Sequence, residues 1–156
     1  MNKPNKKIIN ATPKSYDGID FKSIMEVTAY KKFKQAGFNV IYEPTKYTLL
    51  EGFKSKVPYY DKAVKSKRAV NRDNNLKESK RKIRSITYTP DFEIRYNDII
   101  AIIEVKGFEN DCFPIKKKLF LKYLATLEGN YVYFEVYSVK NVLQTIEIIK
   151  NYDKES

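Results

Sequence analysis

The chain has 156 residues, of which 42% are hydrophobic, and a formal net charge of +11. These values predict one globular domain, and no apolar run is long enough for a membrane span or a secretory signal. The chain has one cysteine and lacks histidine, which excludes His-based catalysis, ordinary zinc sites and internal disulfides, and restricts a bound metal to oxygen ligands, as for Mg²⁺ or Mn²⁺.

The N-terminal part of the chain predicts an arm and then a helix. Residues 1–16 are rich in Lys, Asn and Pro without any period, and we expect them to form a flexible basic arm. A helix should follow, because Ser23 and Glu26 have the spacing of a capping box and Gly37 suits the position after a helix C-terminus. The recurring apolar positions that indicate this helix are Phe21, Ile24, Met25, Thr28 and Phe33.

Positive charge is concentrated after the next two predicted strands, at 38–43 and 47–50. Residues 54–84 hold twelve Lys or Arg and three acids, and we interpret them as an inserted loop with room for one helix. Such a segment favours a polyanionic partner, most simply nucleic acid, although charge runs of this kind are also common in solvated loops. The candidate phosphate contacts in it are Lys65, Lys67, Arg68, Arg72, Lys80, Arg81, Lys82 and Arg84.

The second half of the chain predicts two strands, a helix, a strand and a closing helix, at 85–94, 99–107, 114–127, 131–139 and 139–152. A strand, a helix and a further strand form a crossover unit, so the last two strands should be parallel. The fold class is therefore α/β, bordering on α+β, with a mixed central sheet flanked by helices. The domain should span 17–150, followed by a tail at 151–156. The apolar stripe expected on its middle helix is Ile115, Leu119, Phe120, Tyr123, Leu124 and Leu127.

The register of the predicted strand hairpin brings charged residues together. If Asn97 and Asp98 form a two-residue turn, then Asp91 lies directly opposite Glu104, and Lys106 falls on the same face as Glu104. A three-residue loop would shift the alignment by one position and separate the two acids. Directly opposed carboxylates destabilise a sheet unless a cation compensates them. That cation is either a bound divalent metal or the Lys106 ammonium, bridging two acids at the rim of the sheet.

The same residues resemble the signature of a known group of enzymes. Pro90-Asp91, followed after twelve residues by Glu104-Val105-Lys106, resembles the motif of the PD-(D/E)xK nuclease superfamily. Residues 17–37 resemble the first helix of that superfamily. The wider resemblance, over roughly residues 17–137, is to a phage- and prophage-borne family of uncharacterised proteins related to Holliday junction resolvases. It implies a restriction-endonuclease-like core, in which the basic segment is longer than usual.

The resemblance also implies roles for individual residues. Asp91 and Glu104 would hold Mg²⁺, or Mn²⁺ as a substitute, together with the Val105 carbonyl oxygen. Lys106 would orient the attacking water or assist its deprotonation. Glu26 would reach the metal directly or through water, although its spacing from Ser23 equally fits a helix cap. Two lysines at the start of the following helix are further candidate phosphate contacts, Lys116 and Lys118.

The function expected from these observations is metal-dependent hydrolysis of phosphodiester bonds in branched DNA, in the cytoplasm of a bacterial host. Symmetric cutting of a junction would imply a homodimer, which the sequence itself does not indicate. Two alternatives remain open at this stage. One is a nucleic-acid-binding protein without catalysis, and the other is a site-specific, restriction-like endonuclease. RNA is also open as the substrate.

Overall fold

The computed structural model of the chain describes residues 13–62, 76–107 and 112–152. The chain divides into a larger unit, comprising Met1–Tyr47 and Tyr88–Ser156, and a smaller unit, Thr48–Thr87. No helix in the described ranges has the length and apolarity needed to cross a membrane. The elements in chain order are β1 (Lys14–Tyr16), β2 (Ile19–Phe21), α1 (Ile24–Gln35), β3 (Asn39–Tyr42), β4 (Tyr47–Leu50), β5 (Tyr60–Lys62), β6 (Leu76–Glu78), β7 (Ile86–Tyr88), β8 (Phe92–Tyr96), β9 (Ile99–Val105), α2 (Phe113–Leu124), β10 (Asn130–Val136) and α3 (Val139–Lys150).

The larger unit is built on a four-stranded sheet with the order β10-β9-β8-β3. The β3–β8 and β8–β9 pairs are antiparallel and the β9–β10 pair is parallel, so the sheet is mixed. The predicted hairpin and the predicted parallel crossover are both confirmed. The strand predicted at 85–94 is instead two strands, β7 and β8, because Thr89-Pro90-Asp91 interrupts the extended chain between them.

One face of the sheet packs against α1 and α3. Alternate residues of the strands point into this core, as the period of two requires, and α1 contributes Val27, Tyr30 and Phe33. Ser23 caps α1 by accepting a hydrogen bond from the Glu26 backbone N–H, as the sequence predicts. The prediction that Ile24 faces the core is wrong, since its side chain is 55% exposed.

The other face of the sheet packs against α2. The residues of α2 that are buried lie at positions 113, 120 and 124, which share one side of a helix. Aromatic contacts connect this side of α2 to the sheet, including Phe120 with Tyr133 at a centroid separation of 5.9 Å. The stripe predicted for this helix is partly wrong, because Ile115 is 61% exposed and Phe113 is buried instead.

The prediction of a flexible arm over residues 1–16 is wrong at residues 14–16. Residues 14–16 form β1, which pairs antiparallel with β2 around a turn at Asp17-Gly18. Both turn residues have positive φ angles, +55° and +74°, which is the backbone that Asp-Gly readily adopts in a tight hairpin. Residues 1–12 lie outside the described part of the chain, as does most of the predicted tail.

The smaller unit contains paired strands, and two of them, β5 and β6, lie where the sequence analysis expects a loop with room for one helix. β5 and β6 pair antiparallel, Phe53 and Ile83 form an antiparallel bridge, and β4 pairs with β7. The paired segments are nested along the sequence, so the described residues of this unit form a two-stranded ribbon. Phe53 and Ile83 exchange two backbone hydrogen bonds, of 3.0 and 2.7 Å. Residues 63–75, which include part of the predicted basic insertion, lie outside the described ranges.

Candidate active site

The hairpin of β8 and β9 has the predicted register. Tyr96 pairs with Ile99 across the Asn97-Asp98 turn, and Phe92 pairs with Ile103 at the other end. Asp91 comes directly before β8 and therefore lies at the position opposite Glu104. Its carboxylate accepts a hydrogen bond of 2.7 Å from the Val105 backbone N–H, which fixes it against the end of β9.

Glu104 is buried and bonded on both carboxylate oxygens. Its Oε1 pairs with the Lys106 ammonium, and its Oε2 accepts a hydrogen bond of 2.5 Å from the Tyr88 hydroxyl. Tyr88 is itself buried and lies 3.3 Å from the Tyr133 hydroxyl, measured between oxygens. Burial raises the pKa of Tyr88, so this phenol remains protonated and able to donate. Tyr88 thus holds Glu104 in place, a role that the motif alone does not reveal.

Lys106 is enclosed between Glu104 and an aromatic ring. Its Nζ lies 3.5 Å from the centroid of the Phe113 ring, a cation–π contact, and its side chain is only 13% exposed. Phe113 is the first residue of α2, so the start of this helix packs directly on the lysine. The ammonium is therefore held at one position beside the two opposed acids.

The positive charge near Asp91 is too small to keep its carboxylate ionised. Burial and the nearby Glu104 carboxylate raise the pKa of Asp91 to about 8, against an ordinary value near 3.8. The Val105 N–H bond and the Lys106 ammonium act in the opposite direction but do not offset the rise. A second positive charge at this position would restore the ionised form of Asp91.

Glu26 caps α1 and also lies within electrostatic range of the site. Its carboxylate accepts hydrogen bonds from the Lys22 N–H, the Ser23 hydroxyl and the Tyr42 hydroxyl, at 3.1, 2.8 and 2.8 Å. Its charge contributes to the raised pKa of Asp91. The structure therefore gives Glu26 the capping-box contacts, and it places the same carboxylate near the acid pair.

The structure adds two acids that the sequence analysis missed. Glu135 on β10 pairs with Glu104 in the register of the two parallel strands. Glu43 follows β3, and its backbone N–H donates a hydrogen bond of 2.8 Å to the Asp91 carbonyl oxygen. Each of the four strands thus brings one acid to the same end of the sheet. We call this set the acid row, and in sheet order it consists of Glu135, Glu104, Asp91 and Glu43.

Both outer acids of the row carry a lysine partner. The Nζ atom of Lys117, on α2, lies 2.5 Å from Oε1 of Glu135, and Lys22 forms an ion pair with Glu43. Glu43 also has a φ angle of +44°, a left-handed conformation that costs a residue other than glycine roughly 1–3 kcal/mol. Strain of this size is tolerated only where the surroundings impose it, and here it lies at the edge of the candidate site.

The donor set available to a metal is small. Among the residues that the structure describes, no group of three or more His, Cys, Asp or Glu side chains is arranged to hold a metal ion. The adjacent pair, Asp91 and Glu104, matches the way Mg²⁺ is usually bound, through one or two carboxylates with water and substrate phosphate in the remaining positions. The raised pKa of Asp91 is the observation that fits such a cation.

The predicted phosphate contacts have different locations. Lys65, Lys67, Arg68 and Arg72 lie outside the described residues. Four others are exposed in the smaller unit, where Arg81 pairs with Asp61: Lys80, Arg81, Lys82 and Arg84. On α2, Lys118 is exposed and Lys116 is partly buried, and it is Lys117, between them, that reaches the acid row.

Comparison with known proteins identifies the family of the chain. Residues 6–140 match the model of a family described as "Protein of unknown function (DUF1064)". The chain belongs to the DUF1064 family. The matched range includes the whole acid row and the two lysines, Lys22 and Lys117, that pair with its outer acids. No curated protein and no solved structure matches the chain.

Proposed function

We propose that this DUF1064 protein is a metal-dependent endonuclease of PD-(D/E)xK type, with a restriction-endonuclease-like core, and that it hydrolyses phosphodiester bonds in branched DNA. The observation that carries the proposal is the geometry of the motif. Asp91 lies opposite Glu104, and Lys106 contacts Glu104 from the same strand. A motif match by chance would not require the turn, the register and the side-chain contact to agree.

The residues of the chain have distinct parts in this proposal. Asp91 and Glu104 would hold Mg²⁺, with the Val105 carbonyl as a further oxygen ligand, and the bound cation would activate water and neutralise charge on the phosphate. Lys106 would orient the attacking water and stabilise developing negative charge. Tyr88 fixes the Glu104 carboxylate through its 2.5 Å hydrogen bond, which limits the orientations open to the ligand.

Lysine suits position 106 better than arginine would. The Lys106 side chain lies beside two acids and against Phe113, where a compact ammonium on a flexible stem fits more easily than the planar guanidinium of arginine. Glu26 supports the site from the N-terminus of α1. Its three hydrogen bonds make it a positioning residue, and its charge adds to the negative potential that attracts a cation.

The substrate class rests on charge. The basic residues of the smaller unit, among them the exposed Lys80, Lys82 and Arg84, would supply affinity for phosphate that does not depend on base sequence. That kind of affinity suits an enzyme that recognises the shape of branched DNA. Cutting two strands symmetrically would require a homodimer.

The test compares wild type with Asp91→Asn on labelled four-way junction, flap, duplex and single-stranded DNA, with and without Mg²⁺ or Mn²⁺. We expect cleavage of the junction by wild type only when metal is present, and binding without cleavage by Asp91→Asn. Cleavage of plain duplex as fast as the junction would reject the preference for branched DNA. Binding without cleavage of any substrate would instead identify a nucleic-acid-binding protein, an outcome consistent with Glu104 already bonded to Tyr88 and Lys106.

A further inference from the structure

Ion pairs flank the acid row at both of its ends. Lys22 pairs with Glu43 beside β3, and Lys117 pairs with Glu135 on β10. The two elements between them in the sheet, β8 and β9, bring Asp91 and Lys106 to the centre. The row therefore carries four acids on neighbouring strands, and each of its two outer acids has its own lysine partner.

The outer lysines differ from the central one in exposure. The side chains of Lys22 and Lys117 are 67% and 37% exposed, whereas that of Lys106 is 13% exposed. Ion pairs at an exposed surface typically add little to stability, so folding alone gives little reason to hold Lys22 in place. The side chains of the outer lysines are therefore more open to an anion from solvent than that of Lys106, which is enclosed beside Glu104.

Each outer lysine is also fixed by its own structural element. Lys117 lies one helical turn after Phe113 and on the same side of α2 as Phe120, so the helix that packs on Lys106 also directs Lys117 to the row. Lys22 directly precedes the N-cap of α1, and its backbone N–H is bonded to Glu26. The hydrogen bond to Glu43 raises the pKa of Lys22, with Asp91 and Glu26 adding to the rise, so it stays charged.

The length of the row suits a short segment of a nucleic acid strand. Neighbouring strands lie about 4.8 Å apart, so three intervals span about 14 Å. B-form DNA rises 3.4 Å per nucleotide along its helix axis, so a duplex whose axis follows the row presents about four nucleotide steps of one strand over this length. Phosphates on both sides of a central one would fall near the outer lysines.

We propose that Lys22 and Lys117 bind the backbone phosphates on opposite sides of the scissile phosphate, with Glu43 and Glu135 as the positioning residues that hold them. The substrate strand then crosses the end of the sheet in the direction of the strand order. This inference rests on the proposed nuclease function for the identity of the central phosphate. The phosphate contacts themselves require only that the chain binds DNA.

The experiment measures affinity for a junction, in Ca²⁺ or without metal, over a series of salt concentrations. Lys22→Ala and Lys117→Ala should each reduce the slope of log affinity against log salt by about 0.9, the value for one lost phosphate contact on B-form DNA. The matched controls are Lys122→Ala, an exposed lysine elsewhere on α2, and Lys140→Ala at the start of α3, which should leave the slope unchanged. Melting curves confirm that each variant is folded.

Neutral methylphosphonate groups then locate the contacts. A single methylphosphonate on one side of the cut should weaken DNA binding by wild type but not by Lys22→Ala. A methylphosphonate on the other side should weaken binding by wild type but not by Lys117→Ala. Glu135→Gln frees Lys117 from the partner that holds it and should therefore change the affinity for the junction in the wild-type background. It should add nothing to Lys117→Ala, because the two residues act as one pair.

The outcomes separate this inference from the nuclease proposal. Cleavage by wild type with unchanged salt slopes in both lysine variants would overturn the inference and leave the nuclease standing. Reduced slopes in a protein that cleaves no substrate would reject the nuclease and retain the two phosphate contacts. Absence of DNA binding by wild type would overturn both.

Discussion

Two acid-base pairs on the same face of one hairpin behave differently. On β8, Glu93 is followed two residues later by Arg95, and on β9, Glu104 is followed two residues later by Lys106. Both acids are buried, and both bases pair with their acid. From the sequence alone the two spacings are equivalent, so spacing is not what distinguishes a site from a structural ion pair.

The difference lies in what faces each pair. Glu93 is opposite Ile102, and the Arg95 side chain is 67% exposed, so that pair is a single acid with a solvated partner. Glu104 is opposite Asp91 and abreast of Glu135, and its lysine is enclosed. A candidate site is therefore indicated where acids from several strands surround a cation that is largely shielded from solvent.

The largest expected contrast is in catalysis. Lys106→Ala should lower the rate of DNA cleavage by about 10²–10⁴-fold, the usual contribution of one group that assists proton transfer. Arg95→Ala removes the corresponding base of the other pair and should leave the rate near that of wild type. The measurement is single-turnover cleavage of a labelled junction in Mg²⁺. Equal losses in the two variants would show that the enclosed lysine has no special part.

The second contrast is in stability. Because folding raises the pKa of Asp91 to about 8, the folded protein holds a proton that the unfolded chain releases near pH 3.8. The metal-free protein should therefore lose stability as pH rises from about 4 to 8, where the unfolded state binds fewer protons. Asp91→Asn removes the charge that causes this loss, so it should raise the free energy of unfolding at pH 8 by an amount on the order of a few kcal/mol.

Glu93→Gln is the control for that stability effect, because it removes an acid that already has a solvated partner and should bring no gain at pH 8. Thermal melting without metal at pH 5 and pH 8 measures the difference between the variants. Mg²⁺ should raise the melting temperature of wild type at pH 8 but not that of Asp91→Asn, since only the former retains the ligand pair. A metal-free Asp91→Asn variant that melts below wild type at pH 8 would contradict the interpretation.

Periodicity and turn chemistry predict the central acid pair of the site from the sequence, but the sequence analysis did not predict Glu135 or Lys117 beside it. The two-residue turn and the period of two place Asp91 opposite Glu104, and both are local properties. Glu135 was within reach of the same reasoning, because a parallel crossover aligns the Glu-Val of β10 with the Glu-Val of β9. Lys117 could have been found from its spacing to Phe113 and Phe120. The predicted stripe begins at the exposed Ile115 and omits the buried Phe113, so it does not indicate which side of the helix Lys117 occupies.

Other features depend on contacts between residues far apart in the chain. Tyr88 reaches Glu104 only after β7 and β8 separate at Pro90, and a tyrosine in a strand gives no sign of which acid it will bond. The Asp17-Gly18 turn was a readable hairpin signal that the basic composition of the arm obscured. The paired strands of the smaller unit were harder to predict, since lysine-rich strands lack the alternation that marks a half-buried one.

The smallest expected contrast concerns two tyrosines, Tyr88 at the end of β7, beside the acid row, and Tyr96 at the far end of β8. Tyr88→Phe removes the hydroxyl that donates to Glu104 and leaves the buried ring, so it should weaken Mg²⁺ binding by roughly tenfold, the lower end for loss of an outer hydrogen bond to a ligand. Tyr96→Phe, next to the Asn97-Asp98 turn at the far end of β8, removes a hydroxyl away from the acid row and should leave Mg²⁺ binding unchanged. Cleavage rates measured over a Mg²⁺ titration distinguish the two, because the loss in Tyr88→Phe should be largely recovered at high Mg²⁺. A loss that persists at saturating metal would mean that Tyr88 acts on the reacting groups directly and not through the orientation of Glu104.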